Sequence, residues 1–380
     1  MRTYDHGGDV FAEETRPIDF SVNINPLGLP EAAAEAAERA VREELTYPDP
    51  FARRLTAALS ARYGVPDGRI VCGNGASDLM MRLCCWLEPA KALVPAPGFS
   101  EYRRCCELLG AEVSEYPVLE GGVLDGIIGK AVACQPDIIF ICRPNNPDGS
   151  LISLEDVEKL ARFCERRGIV LVCDECFLEL VSEAGNAASG SAACLTERFS
   201  RLIVINAFTK TYAMAGLRLG FMFSSGEDLL EGTYAFGSPW SVSAPAQAAG
   251  TVCCGETEFL ERTRAYIAEQ RKKLVSGLEA LGFDVFPSEA NFLLVKAPQS
   301  LTEACAGEGE ETESAEKPSL REELSKRGIR VRDCRSFSGL DDTYMRLGVR
   351  TEEENEALIR ALKDIIKPRV KALKEITAAL

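Results

Sequence analysis

The chain has a single histidine, His6, among 380 residues. Nucleophile systems built on serine or cysteine need an imidazole, and so do most catalytic zinc sites. One histidine near the start leaves little room for either. Basic charge is also short, with 43 Lys and Arg against 58 Asp and Glu and a formal net charge of −15. A surface that acidic repels phosphate backbones and anionic headgroups, which argues against nucleic-acid and membrane partners. No apolar run approaches the roughly 18 residues of a membrane span, and residues 1–10 lack a signal-peptide pattern. A cytoplasmic protein is expected. The run Gly73-Asn-Gly-Ala-Ser77 lacks the third glycine of a dinucleotide fingerprint, because Asp78 stands there, and it has no Walker lysine.

Cysteine, by contrast, is plentiful: 15 residues, including the adjacent pairs Cys84/Cys85, Cys105/Cys106 and Cys253/Cys254. A chain that is 46% hydrophobic can bury a large core without staples, so these read as reduced, small hydrophobic side chains. Cys173 and Cys176 have no second ligand pair, and no metal site is expected.

Short β-branched runs alternate with helical patterns from about residue 50 to 250. Strands are expected at 69–72, 91–94, 137–142, 168–173, 201–206 and 220–223, and helices at 77–87, 100–109 and 153–166. Apolar residues at consecutive strand positions indicate burial on both faces, hence a parallel sheet covered by helices and an α/β large domain over 46–255. From 256 to 380 the pattern changes to a smaller α+β domain. It has a long helix at 256–281, strands near 292–296 and 344–349, and an acidic low-complexity loop at 302–317. Its last helix opens with a capping-box spacing at Thr351 and Glu354, and Pro368 should kink or break it. Residues 1–45 form an arm and an Ala/Glu-rich helix contributing to the small domain.

Four features fall where strands end, the place where open α/β sheets bind ligands. They are Gly73 to Ser77, Arg143-Pro-Asn-Asn-Pro-Asp-Gly149, Asp174 directly after a buried strand, and Lys210 after another. Each alone has a plain structural explanation as a turn, a cap or a surface residue. Together they supply an anion cradle at a helix start, a buried carboxylate that needs a cation or strong donor, and an amine. Pyridoxal phosphate asks for those three things.

The strings Asn145-Asn-Pro-Asp-Gly149, Asp174-Glu175 and Lys210-Thr-Tyr-Ala-Met-Ala-Gly-Leu-Arg-Leu-Gly220 resemble the fold-type I pyridoxal-phosphate enzymes of the class I/II aminotransferase group. The likeness implies a mostly parallel seven-stranded sheet flanked by helices, a smaller α+β domain, and a homodimer. It implies that Lys210 bonds to the cofactor aldehyde, Asp174 pairs with its ring nitrogen, and Asn146 donates to its ring oxygen. Gly75, Ala76, Ser77, Thr209 and Arg218 would hold the phosphate, with Tyr47 reaching it from a partner subunit. Tyr102 would stack on the ring. Two positions depart from the group: Phe177 stands where many members have a tyrosine, and Ala207 where the phosphate cup often has Ser or Thr.

Within the group, the stretches His6-Gly-Gly-Asp9, Asp19-Phe-Ser-Val-Asn-Ile-Asn25 and 330–350, together with Phe177, are more similar to threonine-phosphate decarboxylases of cobalamin synthesis than to histidinol-phosphate aminotransferases. That resemblance implies a small phosphorylated amino-acid substrate, held by Arg332 and Arg346 with His6, Ser21 and Asn25 lining the site. Both reactions start from the same cofactor adduct. They differ in which bond to Cα stands perpendicular to the ring, so the aminotransferase stays open as the alternative.

Overall fold

The computed structural model describes residues 6–11, 16–43, 46–181, 190–298 and 319–379, with side chains up to 366. The acidic stretch 302–317 lies outside the described residues. The chain enters through an arm whose short strand β1 (Ile18–Asp19) pairs in parallel with Ile329–Arg330, some three hundred residues on.

Seven strands then build the main sheet: β2 (Ile70–Gly73), β3 (Lys91–Ala96), β4 (Glu112–Pro117), β5 (Ile138–Cys142), β6 (Val170–Asp174), β7 (Leu202–Ala207) and β8 (Gly220–Phe223). Their order is β2-β8-β7-β6-β5-β3-β4, and β8 is antiparallel to both its neighbours while the other pairs are parallel. The pleat explains why the strands read as unbroken apolar runs. Ile139, Ile141, Leu171, Cys173 and Val204 face one core, and Ile138, Phe140, Val170, Val172, Ile203 and Ile205 face the other. Each fully buried aliphatic side chain contributes about 1.5–3 kcal/mol. β4 is an edge strand and buries only Tyr116, so it leaves no apolar run to read.

Helices follow the strands as the spacing predicts. Leu154–Glu165 starts where the Ser153 hydroxyl accepts the Asp156 N–H at 3.1 Å, and it buries Val157, Leu160, Ala161 and Cys164. The helix Glu31–Glu43 corrects the sequence expectation. It does not join the small domain but packs on Ala244–Cys253, where Ala33, Ala37, Ala246 and Ala249 let the two backbones approach within the main core.

The smaller unit has β9 (Asp284–Val285), β10 (Phe292–Lys296), β11 (Ile329–Arg330), β12 (Arg332–Asp333) and β13 (Tyr344–Gly348). Four of these make an antiparallel sheet in the order β12-β13-β10-β9, and β11 takes the arm strand β1. Leu274, Leu293, Val295, Leu347, Leu358 and Leu362 fill its core between the sheet and the helices Thr257–Glu279 and Glu352–Ala379. Pro368 does not end that last helix, which runs through to Ala379. A proline there removes one backbone donor, and the core-facing stripe up to Ile365 lies before it. Phe177 meets Phe292 edge-on at 4.9 Å, so the two sheets touch through aromatic rings beside the strand ends.

Candidate active site

A cavity of about 980 Å³ opens at the C-terminal ends of the parallel strands, between the two sheets and under the arm. Its near wall is the turn after β2. There Gly75 has φ +88°, and the helix Ala76–Leu87 begins with Ala76 and Ser77 on the cavity. Arg218 lies across this turn, so a Cβ on Gly75 would fall 2.5 Å from its Nη2. A Cβ on Gly220 would fall 2.4 Å from the Gly75 carbonyl carbon, so β8 starts hard against the same backbone. Arg218 itself sits at φ +63°, a left-handed conformation that costs a side chain roughly 1–2 kcal/mol. Among the described residues its guanidinium donates only to Ala215 O, at 3.3 Å, and has no carboxylate partner. With Thr209 on the same cavity, the helix start and this guanidinium form an anion cradle. Asp78, in the place of a third glycine, closes the turn by accepting from Asn74 N–H at 2.7 Å and pairing with Arg82.

The floor carries Asp174 at the end of β6. Its Oδ1 accepts from Cys176 N–H at 3.0 Å and its Oδ2 from the Tyr102 hydroxyl at 2.6 Å. No cation pairs with it among the described residues, and burial holds its pKa above the usual carboxylate range despite those donors. Tyr102 therefore stands elsewhere than expected. Its ring has no accessible surface, is stacked on Phe140 at 5.1 Å, and reaches the site through its hydroxyl. Phe99, which also lines the cavity, meets Tyr102 edge-on at 5.5 Å. Glu175 points the other way, into a buried pair with Arg143 at 3.0 Å that also takes Ala192 N–H and the Ser191 hydroxyl.

Lys210 rises from a single helical turn, Phe208–Thr211, directly after β7. Its ammonium group has no hydrogen bond or ion pair among the described residues. Burial, with Arg346 and Arg218 nearby, lowers its pKa to about 8. Asn25, expected on the cavity, instead fixes this turn from behind. Its N–H donates to Lys210 O at 3.1 Å, and its amide donates to Thr211 O at 2.7 Å and Thr263 Oγ1 at 3.2 Å. Asn23, two residues earlier, lines the cavity, and its buried side-chain oxygen has no partner among the described residues. The polar alternation Ser21, Asn23, Asn25 hinted at a shared face, but the chain turns before Asn25.

Arg346 comes from β13. It donates to Asn146 Oδ1 at 2.6 Å and to Ser21 O at 2.7 Å, its Nε has no partner, and burial lowers its pKa to about 10. Directly across the ladder stands Arg332, also on the cavity. Like charges opposite each other destabilise a sheet, so this pair is best suited to an anionic ligand. His6 and Ser21 bring the arm to the cavity. The imidazole lies 2.9 Å from Glu101 Oε1, and the Ser21 hydroxyl donates to Asp19 at 2.5 Å. Phe177 lines the wall where a phenol would otherwise stand. Tyr47 is far more exposed, stacked on Trp240 at 4.2 Å, and does not line this chain's own cavity. Cys173 faces the core while Cys176 faces the cavity, so they share no ligand geometry. Among the described residues no cluster could hold a metal, and the fourteen cysteines are all free thiols.

Residues 15–362 match the family Aminotransferase class I and II. The chain belongs to that family. It is 31% identical over 378 residues to a putative threonine-phosphate decarboxylase of Caldanaerobacter subterraneus subsp. tengcongensis, covering 99% of this chain and 97% of the relative. It is 33% identical over 349 residues to a histidinol-phosphate aminotransferase of Symbiobacterium thermophilum, covering 91% and 90%. The crystal structure of the histidinol-phosphate aminotransferase from Clostridium acetobutylicum superposes with a TM-score of 0.81 at 29% identity, over 92% of this chain and 99% of that one. As a class I and II aminotransferase-family protein, the chain uses pyridoxal 5′-phosphate. Its own residues fit that group: a backbone cradle that a Cβ would fill, and, among the described residues, a buried carboxylate without a cation and a half-buried amine without a partner.

Proposed function

We propose that this chain decarboxylates L-threonine O-3-phosphate to (R)-1-amino-2-propanol O-2-phosphate and CO2, a step of cobalamin biosynthesis. The observation that carries the reading is the arm. It places His6, Ser21 and Asn23 on the cavity beside Arg332 and Arg346, so a small substrate with two anionic groups meets two guanidiniums and a hydrogen-bonding wall. The alignment with the putative decarboxylase also runs through this arm, over 99% of the chain. A histidinol-phosphate aminotransferase is the second reading, favoured by the 33% identical relative.

In this reading the backbone at Gly75 to Ser77, with Thr209 and Arg218, would hold the cofactor phosphate, Asp174 its ring nitrogen, Asn146 its ring oxygen and Lys210 its aldehyde carbon. When bound, pyridoxal phosphate supplies an electron sink for the bonds to the substrate Cα. Tyr102 and the Cys176 N–H aim Asp174 and oppose the rise that burial imposes on its pKa. Arg346, braced by Asn146 and Ser21, takes the substrate carboxylate, and Arg332 takes its phosphate. The relative placement of those two anchors would decide which bond to the substrate Cα is presented to the electron sink. Lys210, on the same cavity, would return a proton to Cα after CO2 departs. Phe177 offers no proton or hydrogen bond on its side of the ring.

The same reading includes a homodimer. Tyr47, Phe51, Trp86, Tyr234, Phe236 and Trp240 are all exposed, and four of them form the stacked pairs Tyr47–Trp240 and Phe51–Tyr234. Exposed aromatic surface of this kind marks an interface, and a second copy seated there would bring its Tyr47 towards the cradle.

The test is CO2 release from purified, cofactor-loaded protein given L-threonine O-3-phosphate and no keto acid. One CO2 and one amino-alcohol phosphate per substrate is the expected result. Absence of CO2, with glutamate formed from 2-oxoglutarate and histidinol phosphate, would establish the second reading.

A further inference from the structure

Glu115 lies on β4, the edge of the main sheet, with its carboxylate partly exposed. Its two oxygens are taken from two different units of the fold. Oε1 accepts from Arg103 Nη2 at 2.6 Å, and Arg103 belongs to the helix Ser100–Glu107 and lines the active-site cavity. Oε2 accepts from the Ser338 hydroxyl at 2.8 Å, in the loop between β12 and β13 of the smaller unit.

That loop is folded as a piece. Phe337 N–H donates to Cys334 O at 2.9 Å and Leu340 N–H to Phe337 O at 3.1 Å, folding it into consecutive turns. Phe337 lines the active-site cavity. Arg332 donates to Ser336 Oγ at 2.7 Å and lies over the Phe337 ring at 5.4 Å. Beneath the loop, a second cavity of about 410 Å³ separates Phe337 and Ser338 from Val94, Phe99 and Arg103. The loop is therefore bridged to the large unit across a cleft instead of being seated on it by close apolar packing. The Ser338–Glu115 hydrogen bond spans that cleft.

We propose that Glu115 is a positioning residue for substrate binding: anchored by Arg103, it latches the loop 334–340 across the cavity mouth and so fixes where Arg332 and Phe337 meet the substrate. The proposal rests on the placement of Arg332 at the substrate anion given above. A partly exposed ion pair and hydroxyl contact is weakly held in water, which suits a contact that must open to admit substrate and release product.

The test uses the cofactor-loaded enzyme with Ser338→Ala, Glu115→Ala and the double variant. It is run on whichever of L-threonine O-3-phosphate or histidinol phosphate the unmodified enzyme turns over. A failure of the proposed function, seen in the unmodified enzyme, is thereby separated from a failure of the latch, seen in the variants. Loss of a contact this exposed should raise KM by about two- to fivefold. The value of kcat, the cofactor dissociation constant and the visible spectrum of the bound cofactor should stay unchanged. The double variant should be no worse than either single one, because both remove the same contact. Unchanged KM in both single variants would overturn the proposal. So would additive effects, or a parallel fall in kcat and cofactor affinity. Should Glu115→Ala fold poorly, Ser338→Ala, at an exposed hydroxyl, decides the question alone.

Discussion

Lys210 shows most directly how local surroundings make chemistry. Its burial, with guanidiniums nearby, brings an amine of ordinary pKa about 10.4 down to about 8. The neutral amine is the nucleophile, so in cofactor-free protein its fraction rises with pH: about a tenth at pH 7, half at pH 8. Capture of added pyridoxal phosphate, followed by visible absorbance, should accelerate with pH around a midpoint near 8. A rate flat from pH 6.5 to 9 would show that Lys210 is not the capturing amine. The sign for stability follows from the same shift. Between about pH 8 and 10.4 the unfolded chain holds more protons at this group, so cofactor-free protein gains stability as pH rises through that window. Lys210→Ala should abolish turnover while the cofactor still binds reversibly, because the cradle and Asp174 remain. Asp174, Lys210, Asn146, Arg218 and Arg346 were legible because each follows a recognisable strand or motif. Asn25 stands behind the cavity and Asn23, for which nothing was expected, lines it, because such placements depend on which way a side chain turns after a bend. Spacing says nothing of that, nor that the Tyr102 hydroxyl donates to Asp174.

Among elements, strands buried on both faces announced themselves, and those with one polar face did not. β5, β6 and β7 are buried at every residue and lie within two residues of their expected bounds. β4, with one buried residue, and the two-residue strands β1, β9, β11 and β12 were invisible, since their pairing is set by partners distant in sequence. The helix Glu31–Glu43 was visible as a helix but not as to its partner, because an alanine face fits any close neighbour. The junction of β2, β8 and the helix Ala76–Leu87 yields a prediction at this scale. Adding a methyl at Gly220 drives it into the backbone of Gly75, at 2.4 Å, and neither chain can yield without opening the cradle. Overpacking of this kind costs about 1–3 kcal/mol. Gly220→Ala should therefore weaken binding of pyridoxal phosphate by about tenfold or more, and weaken binding of pyridoxal, which has no phosphate, much less. Equal losses for the two ligands would mean that the junction serves the fold and not the phosphate.

For the whole molecule, the net charge of −15 and the cationic cavity have to be reconciled. Lys210, Arg218, Arg332 and Arg346 all line one cavity, so positive charge is concentrated where an anionic cofactor and substrate would sit. The same acidity opposes pairing of two copies, and the exposed aromatic surface has to overcome it. Trp240, stacked on Tyr47, and Phe236, beside Trp86, offer apolar area that a lone chain leaves in water. Sedimentation of the purified protein should show a dimer that tightens as salt screens the like charges. Phe236→Glu combined with Trp240→Glu should yield monomers, because the added carboxylates would be buried without partners. If Tyr47 serves the partner's cradle, those monomers should also bind pyridoxal phosphate more weakly, although the substituted residues lie outside the cavity. Monomers with unaltered cofactor affinity would confine Tyr47 to holding the interface, and a dimer that survives both substitutions would place the interface on another face.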